Sequence, residues 1–370
     1  MIAPRDIPKI IWIHAVLIMG IGLLALYSAS FNNVRVGQDV FYDQLLCAVF
    51  GLLAMFLLSY FNYRKFFDFA YFIYGFSVLF LLLVLFLGHQ ALGATRWFSL
   101  GGFSFQPSEF NKLAVILFLG RYLSQQRPKL SFNISNSLRG AWDDLIFPLG
   151  IVGLSILLIF KQPDLGTAIL IFGIFMIMTY ASGIRLKDFL IFMGGVLALM
   201  PLVWHLLKPY QRDRLTVFLN PNHDPTGAGY TITQSKIAVG SGQLWGKGWL
   251  VGSQSQLNFL PERHTDFIFS VIGEEWGLLG TLFLIYCYTM IIYCGFMVAY
   301  HHKDRFGQLV TVGIVAILAL QVVINIGMGI GLCPVVGITL PLISYGRTSF
   351  MVFALMLGFL LNLSRRRTVF

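Results

Sequence analysis

YQRDRLTVFLNPNHDPTGAGYTITQSKIAVGSGQLWGKGWLVGSQSQLNFLPERHTDF, residues 210–267, is the long polar stretch of a chain that is otherwise apolar nearly throughout. With Lys208, it gathers Arg212, Asp213, Arg214, Asp224, Lys236, Lys247, Glu262, Arg263, His264 and Asp266 into one segment. Only 11% of the 370 residues are charged, against about 25% in an ordinary soluble domain. A connection this long is either functional or disordered. Tyr230, Trp245, Trp249 and a run of glycines from Gly227 to Gly252 argue against disorder. The segment 208–266 therefore reads as one large loop that carries the chemistry, held by apolar helices on both sides.

Working outward, hydrophobic residues make up 57% of the chain and its mean hydropathy is +0.77. Apolar runs near the length of a bilayer crossing recur along it. The expectation is an all-α polytopic membrane protein of about ten transmembrane helices, at roughly 10–30, 42–60, 67–88, 108–124, 143–160, 165–182, 188–207, 267–299, 308–330 and 347–363. Runs of this length are helices, because a barrel strand needs only about 10 residues. No repeat and no soluble domain stands out, so residues 1–370 read as a single membrane domain. The first apolar run has no cleavage-type end and is taken as a membrane helix. Cys47, Cys287, Cys294 and Cys333 have neither disulfide nor zinc spacing.

The net charge of +10 follows topology. Arg5, Lys9, Arg64, Lys65, Arg121, Arg127, Lys129, Arg139, Arg185, Lys187, Lys303, Arg305 and Arg365 to Arg367 all fall at the N-terminus, at the C-terminus or in alternate loops. The positive-inside rule makes that side cytoplasmic, with both termini on it, and sends 208–266 to the extracytoplasmic face of the cytoplasmic (inner) membrane. A long loop crosses regardless of its own charge. Nucleic acid is excluded as a partner.

Other polar islands border this frame. Arg96 stands in a second outer segment, 89–107, beside a Gly-rich turn where a guanidinium could take phosphate. Glu109 and Lys112, three apart in Gln106-Pro-Ser-Glu-Phe-Asn-Lys112, share a helix face. They are an ion pair that admits both to the bilayer, or part of a site. Lys161 and Asp164 flank an outward turn, where Asp164 is a helix cap, a site residue, or both. A helix over 267–299 is about 50 Å long against a core of about 30 Å, so it must project, tilt or break. The two prolines and repeated glycines between Pro334 and Ser349 predict a re-entrant or broken segment.

No Walker loop, metalloprotease motif or Gly-x-Ser-x-Gly is present, and no His/Cys cluster has metal-ligand spacing. What remains is carboxylates (Asp266, Glu262, Asp164, Glu109) and guanidiniums (Arg212, Arg214, Arg263, Arg96) beside a bilayer. Arginine binds phosphate bidentately, and a carboxylate can take a proton from a sugar hydroxyl. That set suits sugar transfer from a lipid pyrophosphate. A transporter of an anionic lipid needs a similar basic cavity.

The string Gly-Lys-Gly-Trp249, then Ser253-Gln-Ser-Gln-Leu257, then Phe259-Leu-Pro-Glu-Arg-His-Thr-Asp-Phe-Ile-Phe269, resembles the signature of the SEDS family (shape, elongation, division, sporulation). Gln106-Pro-Ser-Glu109, Gln162-Pro-Asp-Leu-Gly-Thr167, Asp224-Pro-Thr-Gly-Ala-Gly-Tyr230 with Gln234-Ser-Lys236, and Ser344-Tyr-Gly346 are similar to its further motifs, in order over essentially the whole chain. The Pro-Glu-Arg-His form and short N-terminus resemble the elongation branch more than the division branch. The resemblance implies a peptidoglycan glycosyltransferase acting in cell elongation and rod-shape maintenance on lipid II, a disaccharide-pentapeptide on undecaprenyl pyrophosphate. It implies a class B penicillin-binding protein as transpeptidase partner. Asp266 matches the family's essential loop aspartate and is implied to be the general base. Arg96, Glu109, Lys112, Lys161, Asp164, Arg212, Lys236, Glu262, Arg263, His264 and Ser344 form the candidate substrate-binding set. A divalent cation, Mg or Mn, could assist departure of the pyrophosphate, with no closed metal site readable. A lipid II flippase and a non-catalytic scaffold of the elongation machinery are the alternatives. One departure is Arg347, which follows Gly346 where the family has a second glycine.

Overall fold

The computed structural model describes residues 4–31, 37–91, 94–100, 103–126, 134–220, 224, 225 and 227–366. Arg127, Lys129 and Arg367, counted in the charge pattern, lie outside them. Helices run over α1 (Ile7–Ser30), α2 (Gly37–Tyr60), α3 (Arg64–Leu87), α4 (Pro107–Gln125), α5 (Ile134–Lys161), α6 (Leu165–Ala181) and α7 (Leu186–Leu206). After these come α8 (Pro209–Leu219), α9 (Ala228–Ser241), α10 (Ser253–Gln256), α11 (Ile268–His301), α12 (Arg305–Gly329) and α13 (Arg347–Arg365). Six of them, α1, α2, α3, α11, α12 and α13, are long and apolar enough to cross a membrane. Leu145–Lys161 and Leu165–Ala181 are shorter apolar helices.

Two expectations change. The chain is not purely α: β1 (His89–Ala91), β2 (Ala94–Leu100) and β3 (Phe103–Phe105) form an antiparallel sheet in the order β1-β2-β3. Phe98 pairs with Phe105 across the second ladder. Thr95, Trp97 and Phe98 are strand-favouring residue types, a signal that the surrounding apolar composition hides. And 208–266 is not irregular loop but carries α8, α9 and α10.

The described chain forms two compact units, one of residues 1–60, 210–294 and 318–365, the other of 61–209, 295–317 and 366–370. In the first unit α13 lies along α2 and α1. Its Phe350, Phe353 and Phe359 are fully buried, and Asn362 Nδ2 donates to the Leu58 carbonyl at 2.7 Å. In lipid no hydrophobic gain separates packed from unpacked helices, so close contact and interhelical hydrogen bonds carry association. In the second unit α3 packs on α4, and α5 on α6. A polar seam joins three of them. Asn111 Nδ2 donates to Ser77 Oγ at 2.9 Å and Ser155 Oγ at 3.2 Å, and Tyr74 Oη lies 2.8 Å from Ser155 Oγ. The opposite end of α3 leaves Phe86 83% and Leu87 69% exposed, as a lipid-facing surface requires.

Helix α11 breaks, as its length demanded. Gly277 sits at φ +66°, ψ −161°, a conformation that a side chain disfavours. The freed carbonyls of Glu274 and Glu275 accept from the Lys247 and Gly248 amides at 3.0 Å each. The freed amides of Leu278 and Leu279 donate to the carbonyls of Gln243 and Leu244, at 2.8 and 3.2 Å. Residues 243–248 are thus threaded into the break and satisfy backbone groups that lipid could not. A side chain at Gly246 would put its Cβ 2.1 Å from the Glu275 carbonyl oxygen, so the Gly-Lys-Gly-Trp motif is a fitted plug.

Candidate active site

In the first unit, three consecutive carbonyls fix the turn that carries Asp266. The His264 carbonyl accepts from the Tyr345 amide at 2.9 Å. The Thr265 carbonyl accepts from Ser344 Oγ at 2.6 Å. The Asp266 carbonyl accepts from Asn325 Nδ2 at 2.9 Å, and the same Nδ2 donates to the Ile338 carbonyl at 2.7 Å. Asn325 is fully buried on α12. The segment between α12 and α13, together with Asn325 of α12, therefore grips residues 264–266 by their main-chain carbonyls. The carboxylate is left half-buried at the start of α11. It faces Gly337, where a Cβ would lie 3.6 Å from Asp266 Oδ2. Gly337 has φ +73°, in the left-handed region that glycine adopts without penalty.

The residues near Asp266 in sequence have partners of their own. Arg263 is buried; its Nε donates to the Ala29 carbonyl of α1 at 2.6 Å, and Nη1 to Asn258 Oδ1. Burial pushes this guanidinium below the ordinary arginine range. Ser344 Oγ, besides donating to Thr265, accepts from the Leu340 amide at 2.8 Å. Glu262 Oε2 accepts from Thr265 Oγ1 at 3.1 Å, with its own φ at +49°. The His264 ring packs near Tyr345, with centroids 6.2 Å apart. Burial pushes its pKa down, Glu262 opposing and Arg263 adding, so the imidazole is neutral at pH 7. Burial likewise raises the Tyr345 phenol.

Lys236 is exposed on α9, its stem against Gly331 just beyond α12, where a Cβ would come 1.9 Å from Lys236 Cε. Ser235, the preceding residue, anchors α9: its Oγ donates to the Gly329 carbonyl at 2.6 Å and meets Ser270 Oγ at 2.6 Å. Arg212 is half-buried on α8. Arg347 pairs with Asp43 on α2, to which Tyr345 Oη also donates at 3.3 Å. Its carboxylate partner is thus on a helix rather than in the long polar segment.

Two buried glutamates were not among the candidates. Glu274 Oε1 accepts from Lys247 Nζ at 2.7 Å, Ser253 Oγ at 3.2 Å and the Gln254 amide at 3.0 Å. Glu274 Oε2 accepts from the Ser255 amide at 3.3 Å. Glu275 accepts from Ser28 Oγ on α1. Together they lock 246–256 onto the break in α11. The signal was Lys247 between two glycines, which read as loop rather than as the partner of a buried acid.

In the second unit, Arg96 Nε donates to the Gln162 carbonyl at 2.9 Å and Nη2 to that of Pro163. Asp164 caps α6: Oδ1 accepts from the Thr167 amide at 3.1 Å, and Oδ2 from Thr167 Oγ1 at 3.0 Å and Gln106 Nε2 at 3.4 Å. Lys161 is exposed beside them. Glu109 and Lys112 form a buried ion pair at 2.7 Å. Among the described residues no three His, Cys, Asp or Glu side chains come together as a metal site.

A family model described as cell cycle protein, covering FtsW, RodA and SpoVE, matches residues 8–369. The chain is 39% identical over 339 residues to the peptidoglycan glycosyltransferase MrdB of Escherichia coli K12, covering 91% of this chain and 88% of that one. It is 39% identical over 362 residues to the stage V sporulation protein E of Bacillus subtilis, covering 95% of each. A solved structure described as coordinating polymerization and crosslinking in a peptidoglycan synthase complex superposes with a TM-score of 0.80 at 32% identity, covering 97% of both chains.

Proposed function

The chain belongs to the FtsW, RodA and SpoVE family of cell cycle proteins, and from that premise we propose that it is a peptidoglycan glycosyltransferase that polymerises lipid II in cell elongation and rod-shape maintenance, with Asp266 as its base. The acceptor sugar's 4-hydroxyl attacks the anomeric carbon of the donor disaccharide. The Asp266 carboxylate takes the hydroxyl proton as the new glycosidic bond forms. The anomeric carbon–oxygen bond to the phosphate breaks, and undecaprenyl pyrophosphate leaves with the electron pair. Lys236 and Arg212, one exposed and one half-buried on helices of the same unit, are the residues we assign to the pyrophosphate.

The observation that carries this reading is the three-carbonyl grip on residues 264–266. A base works when its geometry is fixed before the substrate arrives. Here the fixing is done through the main chain, by Tyr345, Ser344 and Asn325. Ten membrane helices, with both termini cytoplasmic and 208–266 facing outward, complete the proposal. The whole of 1–370 then acts as one membrane domain beside a class B penicillin-binding protein in the inner membrane. The test is labelled lipid II in liposomes with purified protein, with and without such a partner. Glycan chains support the transferase; movement of labelled lipid across the bilayer without polymer supports the flippase; neither activity leaves the scaffold.

A further inference from the structure

A groove of 490 Å³ opens in the second unit, lined by Ala181 at the end of α6 and Ser182 just beyond it, Ala299 and Tyr300 near the end of α11, and Arg305 and Leu309 on α12. Its size is that of a ligand site, about 300–1,000 Å³. All of these elements meet at the end of the helices where the basic loops lie, with Lys303 exposed in one and Arg185 and Lys187 exposed in the other. One wall is apolar. The other holds a charge with little to do: among the described residues, Arg305 makes one hydrogen bond, Nη2 to the Ser182 carbonyl at 2.6 Å. A guanidinium has five N–H donors. Asp304, next to it, accepts instead from the Gly307 amide at 3.2 Å as the cap of α12, so the adjacent acid is used on backbone. Tyr300 stands 82% exposed at the rim, at the place where an amphipathic ring meets the headgroup layer.

We infer that this groove binds an anionic glycerophospholipid of the leaflet on the basic side, its phosphate on the Arg305 guanidinium and one acyl chain along Leu309 and Ala299. Basic pockets between membrane helices take acidic headgroups in this way, and arginine matches phosphate geometry with paired donors. The apolar wall selects a lipid over a free phosphate. The groove belongs to the second unit and Asp266 to the first, and the inference does not depend on the transferase reading.

Delipidated full-length protein in detergent is titrated with phosphatidylglycerol or phosphatidylcholine and followed by native mass spectrometry. Wild type is expected to retain phosphatidylglycerol in preference to phosphatidylcholine. Arg305→Gln should weaken phosphatidylglycerol retention by about tenfold or more, the loss of a charge-assisted contact. Val312→Trp fills the groove, lined in part by Val312, and leaves Arg305 in place; it should weaken retention similarly at an unchanged thermal midpoint, and it decides the matter if Arg305→Gln does not fold. Equal retention of the two lipids would overturn the inference, as would wild-type retention by Val312→Trp. So would displacement of phosphatidylglycerol by sn-glycerol 3-phosphate at equal concentration, which would make this a free-phosphate site.

Discussion

Asp164 and Asp266 each precede an apolar helix, one in each compact unit. Asp164 is held through its carboxylate, and the turn at Asp266 is held through its carbonyls. Both carboxylate oxygens of Asp164 are occupied by Thr167 and Gln106, and the residue is 4% exposed. Asp266 is gripped by its own carbonyl and those of the two residues before it, while its carboxylate stays half-exposed opposite a glycine. A side chain used as a cap stabilises a helix. A side chain aimed by its main chain can meet a substrate. Glu274, eight positions after Asp266 in the sequence, is a second carboxylate held by its oxygens, with four donors on them.

Substitutions at the structural pole of this comparison should cost stability in proportion to what they strand. Lys112→Met alone leaves Glu109 buried without its partner, at about 3–5 kcal/mol; replacing both with Met and Gln should recover most of that in thermal unfolding in detergent. A double variant as unstable as the single would sink the ion-pair account. Asn325→Leu strips the Asp266 and Ile338 carbonyls of their donor inside the protein, at about 1–3 kcal/mol, and polymerisation should fall with it. An Asn325→Leu enzyme at full rate would show that the grip is dispensable. Asp164→Ala removes a cap, at about 1 kcal/mol, with little change in rate per folded molecule; a rate loss much beyond its stability loss would move Asp164 into the site. Arg347→Gly breaks a part-exposed pair with Asp43, at less than about 1 kcal/mol, and activity should persist. The smallest effect is at His264. The unfolded imidazole gains its proton near its ordinary pKa of 6.5, and the buried one resists. Its share of stability is whole above that pH and is lost as pH falls below it. A slope in thermal midpoint between pH 7 and 5 that His264→Gln leaves unchanged would refute this.

Much of this contrast was legible in residues alone. Asp164 with Thr167 three positions on is a cap pattern, and Pro107 opening α4 with Glu109 and Lys112 one turn apart spells out a pair. The apolar runs located the long helices to within a few residues, apart from α5, where a run read at 143–160 belongs to a helix that starts at Ile134. What escaped was whatever depended on distant partners. Gly277 inside an apolar run looks like any helical glycine, and only residues 243–248 threaded beside it explain it. Ala228-Gly-Tyr-Thr-Ile-Thr-Gln-Ser-Lys-Ile-Ala-Val-Gly-Ser reads as turn and strand by propensity, yet Ser235 reaching Gly329 and Ser270 holds it as α9. Arg263 and Ser344 were candidates for substrate because their types suit phosphate and hydroxyl chemistry. Their partners are the protein's own backbone and Asn258.

The central claim is that Asp266 does chemistry and Asp164 holds structure, and Asn at each position separates the two. Asn keeps the shape of Asp and caps a helix nearly as well, so neither variant should lose much thermal stability. Glycan formation from purified lipid II, measured at matched folded protein for wild type, Asp164→Asn and Asp266→Asn, should remain near wild type for the first variant and fall by about two orders of magnitude or more for the second. Near-wild-type polymerisation by Asp266→Asn would contradict the account and leave Glu262, four residues earlier, as the carboxylate to test.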